Sequence, residues 1–465
     1  MTRRVVVVGA GSAGSVLAAR LADRCDVIVL EAGRWPPEAA GERSGAWALG
    51  ADLTRHRRWT ARPGRTVGGS SVVNGGYFAP PERADLDLWH AAGGPAWAPD
   101  RVQAIVAEIG AEIGVRPSPQ THPLARAFTG AGVELGYAAG LLPLQTTITD
   151  GVPRNVADSL AHRGSIEVRD NARASRIVVE DGRAIGVEVA DGDGSIELLT
   201  ADDVVVCAGG FGTPRLLLAS GIGPADQLRG LGIEPVHDLP GVGASFSDHP
   251  TVWVEWSPGP DLAAIAAQDA PDGAFPVALR VGADGGPGDD IELLACTRPP
   301  ALEAEHDLVS PSFGMIVGLQ RPHARGTIAA SSSRPFAAPV ISYGYLDDVR
   351  DRQALRVGVR LAAEMATSRA YEGLVDRLVD LDDETLDDDE RLDAWIEERL
   401  GSAAHASGSA PMGSSSDPRA VVDGAGRVRG IQGLRIADTS ILPVVPSRGP
   451  AATAMAVGAI IADQL

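Results

Sequence analysis

The chain has 465 residues, a formal charge of −20 and no lysine, so arginine carries all of its fixed positive charge. That length exceeds what one hydrophobic core holds and predicts two domains. The acidic balance argues against nucleic acid or an anionic membrane surface as a partner. The absence of lysine is read as genomic composition rather than as function.

Cys25, Cys207 and Cys296 are odd in number and widely spaced. They imply neither a disulfide framework nor a metal cluster, and no metal is expected. A reducing, cytoplasmic setting fits, with peripheral attachment at the inner membrane face kept open. The N-terminal stretch faintly resembles a secretion signal, but glycines at 9, 11 and 14 interrupt its apolar run. No apolar run reaches the roughly 20 residues of a membrane span.

In chain order, Val5–Val8 is a continuous apolar run, as expected for a parallel strand buried on both faces. Gly9-Ala10-Gly11-Ser12-Ala13-Gly14 follows, and Val16, Leu17, Ala18 and Leu21 then give helical periodicity to about Asp23. A second strand, Val27–Leu30, ends at Glu31, 22 positions after the first glycine. This is the start of a dinucleotide-binding βαβ unit. Gly9 permits the tight turn, Gly11 lets a pyrophosphate approach the backbone, and Gly14 lets helix and strand pack closely. The helix N-terminus stabilises the phosphates, and Glu31 accepts from a ribose.

Thr146–Ala161 reads as loop. Strands are expected at 166–168, 177–179, 186–189 and 204–208, with an amphipathic stretch over 214–219. Alternation such as Val252-Trp253-Val254-Glu255-Trp256, with Gly/Pro turns through 251–345, predicts an antiparallel sheet. Helices are expected over 350–367 and 388–400, and the acidic run 380–390 reads as a solvated loop and helix start. His405 lies among small residues, and a helix follows Ser447-Arg448-Gly449-Pro450. Alone, His405 reads more readily as a hydrogen-bonded loop residue than as a catalyst.

Four blocks occur in order: Gly64–Tyr77; Cys207–Pro224; Leu239-Pro240-Gly241-Val242-Gly243 with Asp248-His249-Pro250; and His405 through Asp438 to Thr453. Together they resemble the glucose-methanol-choline (GMC) oxidoreductases, flavoproteins that oxidise alcohols with FAD, over essentially the whole chain. The resemblance implies an α/β (α+β overall) fold. A discontinuous Rossmann-like FAD domain would comprise 1–240 and 402–465, with 75–160 partly on the substrate side. A substrate domain built on an antiparallel sheet would span 241–401. Gly210 stands where the second block usually has a small non-glycine residue.

The resemblance assigns FAD contacts to Gly9, Gly11, Ser12, Ala13, Gly14, Glu31 and Ala32. It adds Arg65, Val67, Gly68, Gly69, Ser70, Asn74, Gly75, Gly76 and Tyr77 in the flavin loop. Ala174 falls where the backbone meets adenine, and Ala208, Gly209, Asp438, Pro450 and Ala451 complete the set. Val73 occupies the position where some relatives attach FAD through histidine, so the flavin is expected to be non-covalent. The last helix would aim its positive end at the flavin, with Pro450 in its first turn. His405 matches the family's catalytic histidine, a general base for the substrate hydroxyl. The second catalytic position, normally Asn or His, falls on Gly449. Arg448 is a candidate substitute and equally a structural residue.

Segments 73–78, 408–413 and 447–450 resemble the mycofactocin-associated GMC dehydrogenases of mycobacteria and other actinobacteria. That implies a glycosylated, phenolic peptide-derived donor, mycofactocinol, with electrons passing toward a respiratory acceptor. The competing expectations are a GMC oxidase using oxygen on a small or aryl alcohol, and a GMC-type lyase with structural FAD. A nicotinamide enzyme and a non-catalytic binding module fit the four blocks less well.

Overall fold

The computed structural model describes residues 2–35, 45–154, 156–157, 166–190, 195–265, 274–297 and 313–465. The elements that shape the site run in chain order as β1 (Arg4–Val8), α1 (Ser12–Leu21), β2 (Asp26–Leu30), α2 (Ser70–Val73), β3 (Ile166–Arg169), β4 (Asp203–Val206), α3 (Gly209–Ala219), β5 (Pro250–Pro258), β6 (Val277–Val281), β7 (Ile291–Ala295), β8 (Phe313–Leu319), α4 (Val349–Ala366), β9 (Leu400–Ser402), β10 (Leu434–Ile436) and α5 (Ala451–Ala462).

The valine run of β1 is buried along its length because both of its neighbours pair with it in parallel. The five-stranded sheet has the order β3-β2-β1-β4-β10. The chain leaves β1 toward β2 on one side, and β4 joins β1 on the other. That reversal opens a crevice beyond the carboxyl ends of β1 and β4, the place where open α/β sheets bind ligands. Helices α1 and α5 cover one face together. They meet so closely that a Cβ on Gly458 would collide with the Ala13 carbonyl.

The second sheet is antiparallel, as the alternation predicts. Its order is Val375–Leu378, β5, β8, β7, β6 and Leu141–Pro143, with β9 also pairing β5. Val252, Val254 and Trp256 enter a core beneath α4, while Thr251 and Trp253 point toward the crevice. Gly358 lets α4 sit on this sheet, since a Cβ there would lie 2.5 Å from Val317 and 3.0 Å from Ile291.

Two expectations change. Part of the stretch read as loop forms short pairs, Arg116–Pro117 with Gln145–Thr146 and Ile148–Thr149 with Val152–Pro153; residues 155 and 158–161 lie outside the described set. Short two-residue pairings carry too little periodicity to be read. Pro450 is the N-cap of α5, one position before the first turn, with φ −81°. The acidic run forms two short helices at Asp383–Asp387 and Asp389–Arg399, capped by Asp382 and Asp388. The described residues contain no group of side chains suited to a metal and no helix long and apolar enough to cross a membrane.

Candidate active site

A cavity of about 1520 Å³ runs from the β1–α1 turn to the face of the antiparallel sheet. That exceeds the ~300–1,000 Å³ of an ordinary small-molecule pocket, leaving room for a dinucleotide and a second molecule. One end is built from backbone. Gly9 has φ +107°, and a Cβ there would sit 2.5 Å from the Cys207 carbonyl oxygen. On Gly14 a Cβ would strike the Gly9 carbonyl, and on Gly69 it would come within 2.7 Å of Gly11 Cα. Helix α1 starts without a side-chain cap, so its first N–H groups are left for an anion.

Glu31 accepts from Ala10 N (3.1 Å) and Gly33 N (2.9 Å), which fixes its carboxylate at the crevice edge. Burial pushes its pKa up to about 7, against those backbone bonds. Asp438 spends its oxygens on Gly209 N, Thr213 Oγ and Ser440 N at 2.6–2.8 Å, tying the start of α3 to the segment after β10.

The structure brings most of the expected residues to one wall. Gly9, Gly11, Ser12, Ala13, Glu31, Ala32, Gly69, Ser70, Asn74, Gly75, Tyr77, Ala174, Ala208, Gly209, His405, Asp438, Gly449, Pro450 and Ala451 all line the cavity. Gly14, Arg65, Val67, Gly68, Gly76 and Arg448 lie behind it. Gly68 donates to the Ala10 carbonyl (2.8 Å) and Arg65 stacks over Trp47 at 4.7 Å, so these residues shape the loops.

Arg448 requires a correction as a catalytic candidate. It is 1% exposed, sits 3.3 Å from Glu82, 3.6 Å from Glu292 and 3.9 Å from Asp289, and donates to the Ser447 carbonyl. Arg280 joins the cluster, 2.6 Å from Glu82 and 3.3 Å from Glu292. Three carboxylates and two guanidiniums therefore pair behind the wall, with Arg321 meeting Asp289 at 2.7 Å from outside, and Arg448 faces them rather than the cavity. Sequence alone could not decide this, because its acidic partners come from two segments far from it in the chain, at Glu82 and at Asp289 with Glu292.

His405 is placed by sheet register. β9 pairs antiparallel with β5, and Ser247 and Ser407 exchange backbone hydrogen bonds at 3.0 Å each way. The loop after β9 thus lies across Asp248-His249. One Asp248 oxygen, Oδ1, accepts from both His249 N (2.7 Å) and His405 N (2.8 Å). Just before the histidine, Ala404 is left-handed, φ +57°, a strained conformation for a residue with a side chain. Gly210 also has its reason here: a Cβ on it would collide with the Ala406 carbonyl, so the glycine lets α3 pack against the His405 loop.

His249 is the functional residue that sequence reasoning passed over, although Asp248-His249-Pro250 was in plain view as a motif. Its Nδ1 lies 2.9 Å from His405 Nδ1, with the rings perpendicular at 88°. Burial, then the neighbouring His405, drives the His249 pKa well below the ordinary value. Burial lowers His405 to about 4 although the ring keeps a face open to the cavity, so both rings are neutral near pH 7. Asp248 is pushed up to about 7 by burial, opposed by the backbone N–H of His405 and the Ser402 hydroxyl. His405 Nε2 faces Gly449: a Cβ at 449 would be 3.7 Å from that nitrogen and 3.9 Å from Tyr77 Cδ1. Helix α5 then begins without a side-chain cap, its amide groups turned to the same space.

These residues fit FAD: an uncapped helix and glycine turn for the pyrophosphate, a fixed carboxylate for a ribose, and a second uncapped helix at the far end.

Comparison with known proteins agrees. Family models for GMC oxidoreductases match residues 4–251 and 322–458. An uncharacterized GMC-type oxidoreductase of Rhodococcus erythropolis is 35% identical over 507 aligned positions, covering 97% of this chain and 96% of its own. An oxygen-dependent choline dehydrogenase of Rhizobium johnstonii is 31% identical, covering 95% and 91%. A variant of formate oxidase from Aspergillus oryzae shares the fold with a TM-score of 0.88 at 23% identity, covering 99% and 98% of the two chains. The chain belongs to the GMC oxidoreductase family and is an oxidoreductase with FAD as its cofactor.

Proposed function

We propose that the protein oxidises a CH–OH donor, with His405 as the base for the hydroxyl proton. The observation that carries this reading is the position of His405: its Nε2 faces Gly449 at the head of α5, inside the cavity that also holds the phosphate-loop glycines. Bound FAD supplies the acceptor of the hydride that leaves the carbinol carbon, so the alcohol becomes a carbonyl as His405 takes the proton.

The base reading takes the histidine pair in one tautomer. Two ring nitrogens 2.9 Å apart share a single hydrogen. Main-chain carbonyls of Pro446 and Gln320 favour a proton on His249, although Nε2 closes no hydrogen bond of standard geometry with either. With that proton on Nε2, His249 Nδ1 accepts from His405 Nδ1–H, and the lone pair of His405 Nε2 is turned to the cavity. When Nε2 gains the hydroxyl proton, the Nδ1–H bond to His249 becomes charge-assisted and strengthens.

For the donor we propose mycofactocinol, on the likeness of segments 73–78, 408–413 and 447–450 to the mycofactocin-associated dehydrogenases, with electrons passing on to a respiratory acceptor. FAD is held without a covalent bond. Residues 1–240 and 402–465 act as the cofactor domain and 241–401 as the donor domain.

The test is anaerobic bleaching of the flavin with reduced mycofactocin, aryl alcohols and short alkanols. Bleaching by mycofactocinol, abolished in His405→Ala with FAD retained, is the expected result. Unchanged reduction in His405→Ala removes the base assignment. Rapid peroxide release in air with an alcohol points to an oxidase, and no bleaching by any donor points to a lyase.

A further inference from the structure

Glycine at 449 is not required by the backbone. Gly449 does not adopt a left-handed conformation, and a Cβ there would make only ordinary contacts, at 3.5 Å to His405 Cε1 and 3.9 Å to Tyr77 Cδ1. Gly9, Gly14 and Gly210 are different, since a Cβ at each would collide with main chain. At 449 the missing side chain leaves a slot between the imidazole and the Tyr77 ring. The walls continue through Trp253, Phe275, Leu294 and Ile316, all on the cavity surface. Phe275 lies against Gly75, whose lack of a side chain admits the ring.

The slot carries no uncompensated negative charge. Among the described residues, the acidic side chains lining the cavity are Glu31, Glu292 and Asp438. Glu31 and Asp438 are held by N–H and hydroxyl donors. Glu292 receives the Tyr77 hydroxyl at 3.3 Å and is matched by Arg280 and Arg448. Burial, then Glu292, pushes the Tyr77 hydroxyl pKa up, and Arg280 and Arg448 oppose Glu292, so the charges behind the ring offset one another.

We infer that Gly449 and Tyr77 form a specificity slot for an uncharged aromatic alcohol, its ring against Tyr77 and its carbinol at His405 Nε2. This rests on His405 being the base that meets the donor. It admits phenolic donors, mycofactocinol among them. Apolar walls reward the aromatic face by area removed from water and by ring–ring geometry.

The test is a binding measurement on the oxidised FAD-loaded protein, using 4-methoxybenzaldehyde as an uncharged ligand that the oxidised flavin does not consume. Calorimetry is expected to give a Kd that rises at least tenfold in Gly449→Val and less in Gly449→Ala, with one FAD per chain retained. Tyr77→Phe keeps the ring and should bind within about threefold of the parent, whereas Tyr77→Ala should not. A Kd unmoved by Gly449→Val, or by Gly449→Ala together with Tyr77→Ala should the valine variant fail to fold, overturns the slot. His405→Ala should still bind the aldehyde, so flavin bleaching that persists in this variant with binding intact counts against the base and leaves the slot standing.

Discussion

Replacing His249 with alanine removes the ring nitrogen that lies 2.9 Å from His405 Nδ1 and that the base reading makes its acceptor. The ground state loses a neutral hydrogen bond, while the reacting state loses one made by an imidazolium. A hydrogen bond to a charged group contributes about 1.5–3 kcal/mol. Against about 0.5–1.5 kcal/mol for a neutral bond, the difference is about 1–1.5 kcal/mol, so the limiting rate of flavin reduction falls ~5- to ~13-fold. His249→Gln restores an acceptor oxygen and should recover part of the loss. The assay is anaerobic stopped-flow bleaching at saturating donor, with FAD content and donor KM measured alongside. His249 is buried and does not line the cavity, so a merely structural role would lower FAD content or raise KM instead. A reduction rate within threefold of the parent in His249→Ala, with FAD retained, refutes the coupling.

Other outcomes are open to measurement. Because burial disfavours the imidazolium and lowers His405 to about 4, flavin reduction should be flat from about pH 5.5 upward and fall only below about pH 4.5; a fall centred near ~6.5, the ordinary histidine value, contradicts this. Glu31 is raised to about 7, so the folded protein binds its proton more tightly than the unfolded chain does. Its contribution to stability is greatest below the ordinary carboxyl pKa and is lost as pH rises toward 7, by about 3 kcal/mol. The melting temperature of FAD-free protein should drop over that window, and Glu31→Gln should flatten part of the drop; an unchanged slope counts against the assignment. Acid precipitation should release all yellow colour into the supernatant, since Val73 offers no nucleophile at the loop beside the flavin; colour left in the pellet refutes non-covalent attachment.

The cofactor end was legible in the sequence because each of its parts is local. A valine run, three glycines, an amphipathic helix and an acid follow within about thirty residues, and spacing alone reports them. Gly449 and His405 were legible through resemblance, as long blocks held in order. What could not be read depends on pairing between distant segments. His249 meets His405 across 156 positions, through a two-strand register that no local period encodes. The Glu82, Arg280, Asp289, Glu292 and Arg448 cluster draws on three segments, and in sequence each member looks like an ordinary surface charge. The alternation at Val252–Trp256 did predict two faces, but not which one would look into the cavity.

The pairing of β10 with β4, and of α5 with α1, has a consequence for biosynthesis. The first strand emerges early from the ribosome, yet its sheet stays unfinished until residues 434–436 arrive. The helix that shares a face with α1, seated through Gly458 on Ala13, is made later still. FAD therefore has no complete seat on the nascent chain until the start of α5 has been translated. A ribosome stalled after residue 400 would hold a chain with the glycine turn in place but without His405 or the α5 terminus. Cofactor capture thus waits for α5, and a chain shortened before residue 451 should be recovered without flavin.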